Sequence, residues 1–200
     1  MRGVCFDIGE TLVDETAAWE SVATAAGVPR LTLFGVLGGT IALRERHSTV
    51  FERLGVEPPP WPGYSAGDFY PDALPCLRAL KEAGYVVGLA GNQPSAIEPF
   101  LAGCGVEVDF IASSQTWGVS KPAPEFFRHV VEAAGYDAPE VAYVGDRVDN
   151  DVVPAAEAGL LSVFLRRGPW GHLQAEWPEA ALADLRLDSL DGLPAALARV

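Results

Sequence analysis

The stretch VCFDIGETLVD, from Val4 to Asp14, is an apolar run that changes abruptly into acids, a glycine and a threonine. The run Val4–Ile8 has the length and composition of a strand that is buried on both faces, as in a parallel sheet covered by helices. Asp, Gly and Thr are also ordinary turn and helix-cap residues, so the stretch alone favours a capped turn after a strand. Whether Asp7 is reactive therefore depends on what the rest of the chain brings to it.

Four further apolar runs follow, separated by helical patterns: Val86–Ala90, Phe110–Ala112, Val141–Val144 and Ser162–Leu165. The segment Asp72–Lys81 has leucines at helical spacing, and Pro124–Ala134 is amphipathic with a glycine directly after it. Strands that alternate with helices predict an α/β fold with a Rossmann-like, doubly wound parallel sheet. The Ala- and Leu-rich tail after Gly168 is predicted to form one or two packing helices.

One segment, residues 15–67, interrupts this alternation with helical pattern and no strand. Helices are predicted over Glu15–Ala26 and Thr40–Leu54, and the proline-rich PPPWPG then leads back to the sheet. We therefore expect a small helical cap inserted after the first strand of the core. The predicted boundaries are 1–14 and 68–200 for the core and 15–67 for the cap.

The overall composition limits the partners and the compartment. The formal net charge of −13 over 200 residues repels phosphate backbones, which argues against nucleic acid and anionic membranes as partners. A small anionic substrate needs local positive groups or a metal. The three cysteines lack metal-ligand spacing and, with no secretory signal, predict reduced thiols in a cytoplasm. No apolar segment reaches the roughly 18 residues of a membrane helix.

Charged and polar residues follow the strands at the edge where the crevice of an open α/β sheet lies. In chain order these residues are Asp7, Asn92, Lys121, Asp146 and Asp151. Clustered carboxylates repel one another unless a cation lies among them, and hard oxygen ligands of this kind suit Mg²⁺, which can bridge a bound phosphate. Lys121 would neutralise the remaining negative charge beside Asp7.

Four segments, taken together and in this order, resemble the motifs of the haloacid dehalogenase-like hydrolases. They are FDIGETLVD, YVVGLAGNQ, GVSKPAPEFF and VAYVGDRVDNDVVPAAEAGL. The resemblance implies a Rossmann-like core and a small C1-type cap that closes over the active site. Most members of that family transfer phosphoryl groups with Mg²⁺ through an aspartyl-phosphate intermediate, so the same chemistry is expected here.

Carried over by position, the resemblance makes Asp7 the nucleophile and Lys121 the residue that positions it and screens the incoming anion. The implied Mg²⁺ ligands are Asp7, the backbone carbonyl of Gly9, Asp146 and Asp151, and the implied substrate-binding positions are Gly91 and Asn92.

Two positions depart from the family pattern. Phosphatases of the family usually carry a second Asp two residues after the nucleophile, which protonates the leaving group and later activates water; here that residue is Gly9. The second motif usually presents Ser or Thr to a phosphate oxygen, and here that residue is Gly91. Glu10 is the nearest substitute acid and is a candidate catalytic residue. Its alternative interpretation is a solvated acid near the start of a helix.

The sequence thus predicts a cytoplasmic, Mg²⁺-dependent hydrolase of a small phosphorylated metabolite, slowed by the loss of the second Asp. Two alternatives stay open: a metal-independent 2-haloacid dehalogenase, which uses the same Asp and also lacks the second one, and a degenerate scaffold that binds a ligand or protein without turnover. Specificity would come from the cap, where Arg44, Arg46 and His47 are predicted to share one helix. The sequence does not indicate an oligomeric state.

Overall fold

The computed structural model describes all 200 residues of the chain, with one six-stranded sheet at its centre. The strands are β1 (Gly3–Phe6), β2 (Val86–Gly91), β3 (Phe110–Ser113), β4 (Val141–Gly145), β5 (Leu161–Leu165) and β6 (Leu185–Leu187). All neighbouring strands are parallel, in the order β3-β2-β1-β4-β5-β6. The predicted α/β class with a doubly wound parallel sheet is confirmed.

Ten α-helices accompany the sheet. They are α1 (Thr16–Ala25), α2 (Arg30–Ala42), α3 (Thr49–Leu54), α4 (Ala73–Glu82), α5 (Ile97–Gly103), α6 (Ser114–Trp117), α7 (Pro124–Ala134), α8 (Val153–Glu157), α9 (Gly168–Gln174) and α10 (Leu193–Leu197). No single helix is long and apolar enough to cross a membrane; α1 and α2 together meet that length and composition, but they are bent by 113° against each other.

The prediction of helices alone after Gly168 is wrong, because this part of the chain also contains a strand. Residues after Gly168 form α9 and α10, but Leu185–Leu187 pairs with β5 and extends the sheet. Three residues carry too little period-two pattern to show as a strand in the sequence. Pairing along the free edge of β5 therefore decided this element.

The alternation of side chains along β1 places helices on both faces of the sheet. Val4 and Phe6 pack with residues of α4 such as Leu77, whereas Cys5 between them packs with Phe126 and Phe127 of α7 on the other face. Each fully buried side chain of this size contributes roughly 1.5–3 kcal/mol. The first apolar run is thus central to both halves of the core.

Strand β1 lies between β2 and β4, and the chain changes direction across the sheet there. In such a sheet, the crevice that binds ligands lies beyond the carboxyl ends of the strands at this switch point. Phe6 is in register with Leu89 of β2 and Val144 of β4. The residue after it, Asp7, therefore emerges into that crevice.

Residues 15–67, the predicted cap, contain α1, α2 and α3 and no strand. The chain enters and leaves this segment side by side, because Asp14 N donates to Asp68 O at 2.8 Å and Tyr70 N donates to Leu12 O at 2.9 Å. The helices bury their own apolar cluster, which Trp170 of α9 completes from the core side.

The predicted helix over Thr40–Leu54 is wrong, because α2 ends at Ala42 and α3 begins at Thr49. Leu43 is the only apolar residue of the six between them and it is 60% exposed, so a continued helix would have no apolar face to bury. The chain instead turns at Arg44, whose φ is 59°. Arg44, Arg46 and His47 consequently lie in a turn rather than on one helix.

Candidate active site

A buried network of two ion pairs lies at the carboxyl edge of the sheet, in which Lys121 contacts both Asp7 and Asp151. Lys121 Nζ lies 2.7 Å from Asp7 Oδ1 and 2.6 Å from Asp151 Oδ1. Burial opposes the ammonium charge, but the attraction of Asp151 and Asp7 outweighs it and raises the pKa of Lys121. Lys121 is therefore a fixed positive charge held against one oxygen of Asp7.

Asp146 adds a third carboxylate to this group. Oxygens of Asp7, Asp146 and Asp151 lie within 4.8 Å of one another, and all three residues are buried. Asp146 Oδ2 is buried without a hydrogen-bond partner. An unpartnered buried carboxylate oxygen is costly, and a cation among the three groups would remove that cost. The residues present therefore fit a divalent cation such as Mg²⁺.

The electrostatics of these acids follow from the same crowding. Burial and the neighbouring charges of Asp151 and Asp7 raise the pKa of Asp146 well above its usual value. Burial also raises the pKa of Asp151 to about 6, although Lys121 acts in the opposite direction. Without a cation, it is thus unfavourable for all three carboxyl groups of the cluster to be ionised at once.

A π-helical turn after β4 orients the Asp151 side chain towards Lys121. The residues Val148–Val152 form a π-helical turn after β4, and Arg147 N donates to Asp151 Oδ2 at 2.9 Å. A Cβ on Gly145 would lie 2.3 Å from Asp151 Cγ, so this position admits only glycine while Asp151 is in place. Single π-helical turns of this kind are frequent at functional sites.

Asn92 of the second motif holds the backbone of Lys121 in place. Asn92 Nδ2 donates to Lys121 O at 3.0 Å, and Lys121 N donates to Asn92 Oδ1 at 2.8 Å. A Cβ on Gly91 would lie 2.6 Å from Asp7 Oδ1, so glycine leaves room for the carboxylate. The substrate-binding role of Gly91 and Asn92 stays a prediction, since nothing in the structure tests it.

The space that a side chain at position 9 would enter is already filled. A Cβ on Gly9 would lie 2.2 Å from Oε1 of Glu15, the residue that precedes α1. Tyr64 Oη donates to Glu15 Oε1 at 2.6 Å, and Trp19 Nε1 donates to Oε2 at 3.2 Å. Burial, which outweighs these hydrogen bonds, raises the pKa of Glu15 to about 7. Sequence reasoning missed Glu15, because no spacing rule links it to Gly9.

Glu10, the acid singled out from the sequence, is buried and has a structural partner for each oxygen. Tyr70 Oη donates to Glu10 Oε2 at 2.6 Å, and the Glu15 backbone N–H donates to Glu10 Oε1 at 3.1 Å. Burial raises the pKa of Glu10. The side chain thereby fixes the start of α1, and its catalytic role stays a prediction.

A cavity of about 330 Å³ joins these groups. Its core side carries Asp7, Lys121 and Asp146, and its cap side carries Glu15. Six further wall residues carry rings, namely Trp19, His47, Phe51, Trp61, Tyr64 and Trp170. Trp170 lies in α9, outside the predicted cap, and no motif or spacing in the sequence predicts its place in this wall.

Of the three cap residues singled out from the sequence, only His47 lines this cavity. Arg44 makes two hydrogen bonds to Glu179, at 2.8 and 3.0 Å, and stacks on Trp177, so it ties the cap to the core. The arginine at the cavity wall is instead Arg147, which lies over Trp170 and pairs with Asp149 at 2.8 Å.

Comparison with known proteins gives a consistent set of relatives. The family model for haloacid dehalogenase-like hydrolases matches residues 62–159. A glyceraldehyde 3-phosphate phosphatase from Methanopyrus kandleri is 34% identical over 109 residues, which are 52% of this chain and 46% of that protein. A phosphoserine phosphatase from Thermus thermophilus is 35% identical over 124 residues, 60% of this chain and 48% of the relative. The chain thus spans about half the length of these relatives.

Among solved structures, the L-2-haloacid dehalogenase from Xanthobacter autotrophicus superposes with a TM-score of 0.73. It is 20% identical, and the match covers 100% of this chain and 98% of that one. At that identity the similarity shows the fold alone.

Proposed function

We propose, because this chain belongs to the haloacid dehalogenase-like hydrolases, that it hydrolyses a small phosphorylated metabolite with Mg²⁺, through an aspartyl-phosphate on Asp7. The observation that carries the proposal is the unpartnered, buried Oδ2 of Asp146 beside Asp7 and Asp151. A cation site next to the nucleophile is what phosphoryl transfer needs and what displacement of a halide does not. The phosphatase names of the sequence relatives support the same reaction.

In this mechanism Asp7 attacks phosphorus and splits the hydrolysis into two steps. Lys121, 2.7 Å from Asp7 Oδ1, orients the nucleophile and screens it from the incoming anion. Asp7, Asp146, Asp151 and the carbonyl of Gly9 would hold Mg²⁺, which when bound supplies positive charge for the transferring group. Asn92 acts through its two hydrogen bonds to the Lys121 backbone, which fix the lysine in place.

One observation favours a second candidate, the metal-independent 2-haloacid dehalogenase. Position 9 is glycine, and a haloacid substrate needs no proton donor for its leaving group, since halide leaves as a stable anion. The catalytically degenerate scaffold is the third possibility, because two side chains usual in the family's phosphatases are missing. A cytoplasmic location and the absence of nucleic-acid and membrane partners stay predictions from charge and cysteine content.

The test is an assay of the purified chain with an aryl phosphate and a panel of phosphorylated metabolites, with Mg²⁺ and with chelator. We expect phosphate release that needs Mg²⁺ and disappears in Asp7→Asn. The matched control is Asp188→Asn, an exposed acid paired with Arg166, which should keep full activity. Halide release from 2-haloacids without metal would replace the proposal with the dehalogenase, and saturable binding with neither product would favour the scaffold.

A further inference from the structure

The geometry points to Glu15 as the general acid and base of this site, a role supplied by the cap in place of the core residue that Gly9 lacks. This inference rests on the proposed phosphatase function. It concerns the half of the reaction that Asp7 cannot perform, which is the proton transfer to the leaving group and from water.

A phosphate ester of an ordinary alcohol needs such a group, because an alkoxide is a poor leaving group unless it is protonated as the bond breaks. Four carboxylates line the cavity: Asp7, Glu10, Glu15 and Asp146. Asp7 is the nucleophile, and Asp146 belongs to the cation cluster. Glu10 Oε2 lies against Gly168 and accepts from Tyr70 Oη, whereas the volume at position 9 is occupied by Glu15. Glu15 is the acid that remains.

The position of the Glu15 carboxyl is the main argument. It lies where the side chain of residue 9 would begin, with Oε1 2.2 Å from the Cβ that a larger residue would place there. The carboxyl therefore occupies the volume next to Asp7 that glycine leaves vacant. Glycine at position 9 and the acid at position 15 form a complementary pair, since any side chain at position 9 would expel Glu15 from this volume.

Contacts on both sides hold the carboxyl in this volume. Tyr64 Oη donates to Glu15 Oε1 at 2.6 Å and itself accepts from Gln93 Nε2 at 3.0 Å. Trp19 Nε1 donates to Glu15 Oε2 at 3.2 Å. Tyr64 and Trp19 belong to the cap, whereas Gln93 follows β2 of the core. Through Gln93, the core thus contacts the cap residue Tyr64 that donates to the Glu15 carboxyl.

Glu15 acts in both steps of the reaction. An Asp7 oxygen forms a bond to phosphorus, the ester P–O bond breaks, and the Glu15 carboxyl gives its proton to the leaving oxygen, releasing the alcohol. The Glu15 carboxylate then takes a proton from water as the water oxygen attacks phosphorus. The bond between phosphorus and Asp7 breaks, which releases inorganic phosphate and returns both carboxyl groups to their starting states.

The experiment compares wild type, Glu15→Gln, Glu10→Gln and the control Glu20→Gln, an acid on α1 that pairs with Arg30. Turnover is measured with Mg²⁺ on an alkyl phosphate and on p-nitrophenyl phosphate, with thermal unfolding to check that each variant is folded. We expect Glu15→Gln to lower kcat for the alkyl phosphate by roughly 10²–10⁴-fold and the control Glu20→Gln to change it little, with a smaller loss in Glu10→Gln than in Glu15→Gln.

With p-nitrophenyl phosphate, Glu15→Gln should release one equivalent of nitrophenol per enzyme in a burst. That leaving group needs no acid, whereas hydrolysis of the phosphoenzyme needs the base. Acid quenching should then trap phosphate on Asp7. The double variant Gly9→Asp/Glu15→Ala should regain at least tenfold of the alkyl phosphate turnover lost in Glu15→Ala, since it returns a carboxyl to the same volume.

Wild-type turnover of the alkyl phosphate by Glu15→Gln would overturn the assignment while leaving the phosphatase proposal intact. Equal loss with both substrates and no burst would make Glu15 structural, and a burst in Glu10→Gln instead would transfer the role to Glu10. Absence of any Mg²⁺- and Asp7-dependent phosphate release by wild type would overturn the phosphatase proposal itself, and this inference with it.

Discussion

The two walls of the cavity are built in opposite ways. The core wall concentrates charge: Asp7, Lys121 and Asp146 are at most 7% exposed and come from loops after three different strands. The cap wall offers rings such as Trp19 and Trp61 and one acid, Glu15. Under the proposed function, the core wall would bind the phosphoryl group and the cap wall would bind the group esterified to it. In the proposed mechanism, the core therefore supplies the nucleophile and the cation site, and the cap supplies the proton for the leaving group.

The largest effect is expected where the core wall loses its only ammonium. Lys121→Met should lower the free energy of unfolding by about 3–5 kcal/mol, because Asp7 and Asp151 stay buried without their partner. The matched change on the cap side, Arg44→Met, breaks an exposed ion pair and should lower stability far less. Urea unfolding of both variants measures the contrast. Equal losses of stability in the two variants would show that burial of the core cluster does not raise the cost of removing its cation.

Magnesium should stabilise the core wall specifically. At a concentration 100 times its Kd, Mg²⁺ should raise the free energy of unfolding by about 2.7 kcal/mol, because it binds the folded chain alone. Asp146→Asn should abolish that gain, whereas Glu15→Gln on the cap wall should keep it. Thermal unfolding against a Mg²⁺ titration gives the measurement, and an unchanged gain in Asp146→Asn would place the cation elsewhere.

The pH dependence of the metal-free protein should expose the same cluster. The folded pKa of Asp146 is raised, so the folded state binds its proton more tightly and loses stability as pH rises above about 4. Wild type should therefore become less stable relative to Asp146→Asn between pH 4.5 and 8. The comparison cancels His47, whose lowered pKa acts in the opposite direction in both proteins. A difference that does not change with pH would contradict the raised pKa.

The smallest effect is expected from the support of the cap acid. Tyr64→Phe removes the donor to Glu15 Oε1 and keeps the ring in the cavity wall. The loss of one hydrogen bond should cost about 1 kcal/mol, or roughly fivefold in kcat for an alkyl phosphate. The KM for the alkyl phosphate should not change, because the core wall is intact. A loss as large as that of Glu15→Gln would show that Tyr64 itself transfers the proton.

Much of the core could be predicted from the sequence, because short apolar runs separated by amphipathic helices are local patterns. The five long strands were visible as such runs, and Pro124–Ala134 was predicted with the bounds that the structure gives. The cap was harder to predict, since the end of α2 and all of α3 were assigned to one helix across the polar turn at Arg44. There the deciding factor was which residues find an apolar surface to pack against, and that depends on tertiary contacts.

By itself, the sequence determined the fold class, the carboxyl edge of the sheet as the reactive edge, and the four charged residues Asp7, Lys121, Asp146 and Asp151 as its candidates. Parallel strands end at one edge, so residues far apart in the chain can be assigned to the same place without coordinates. The opening stretch also shows that position 9 is glycine and so lacks the second Asp usual in the family's phosphatases. Only the tertiary structure decided that Glu15 fills that volume, because the loop from Gly9 to α1 folds back on itself through local hydrogen bonds that no sequence period records.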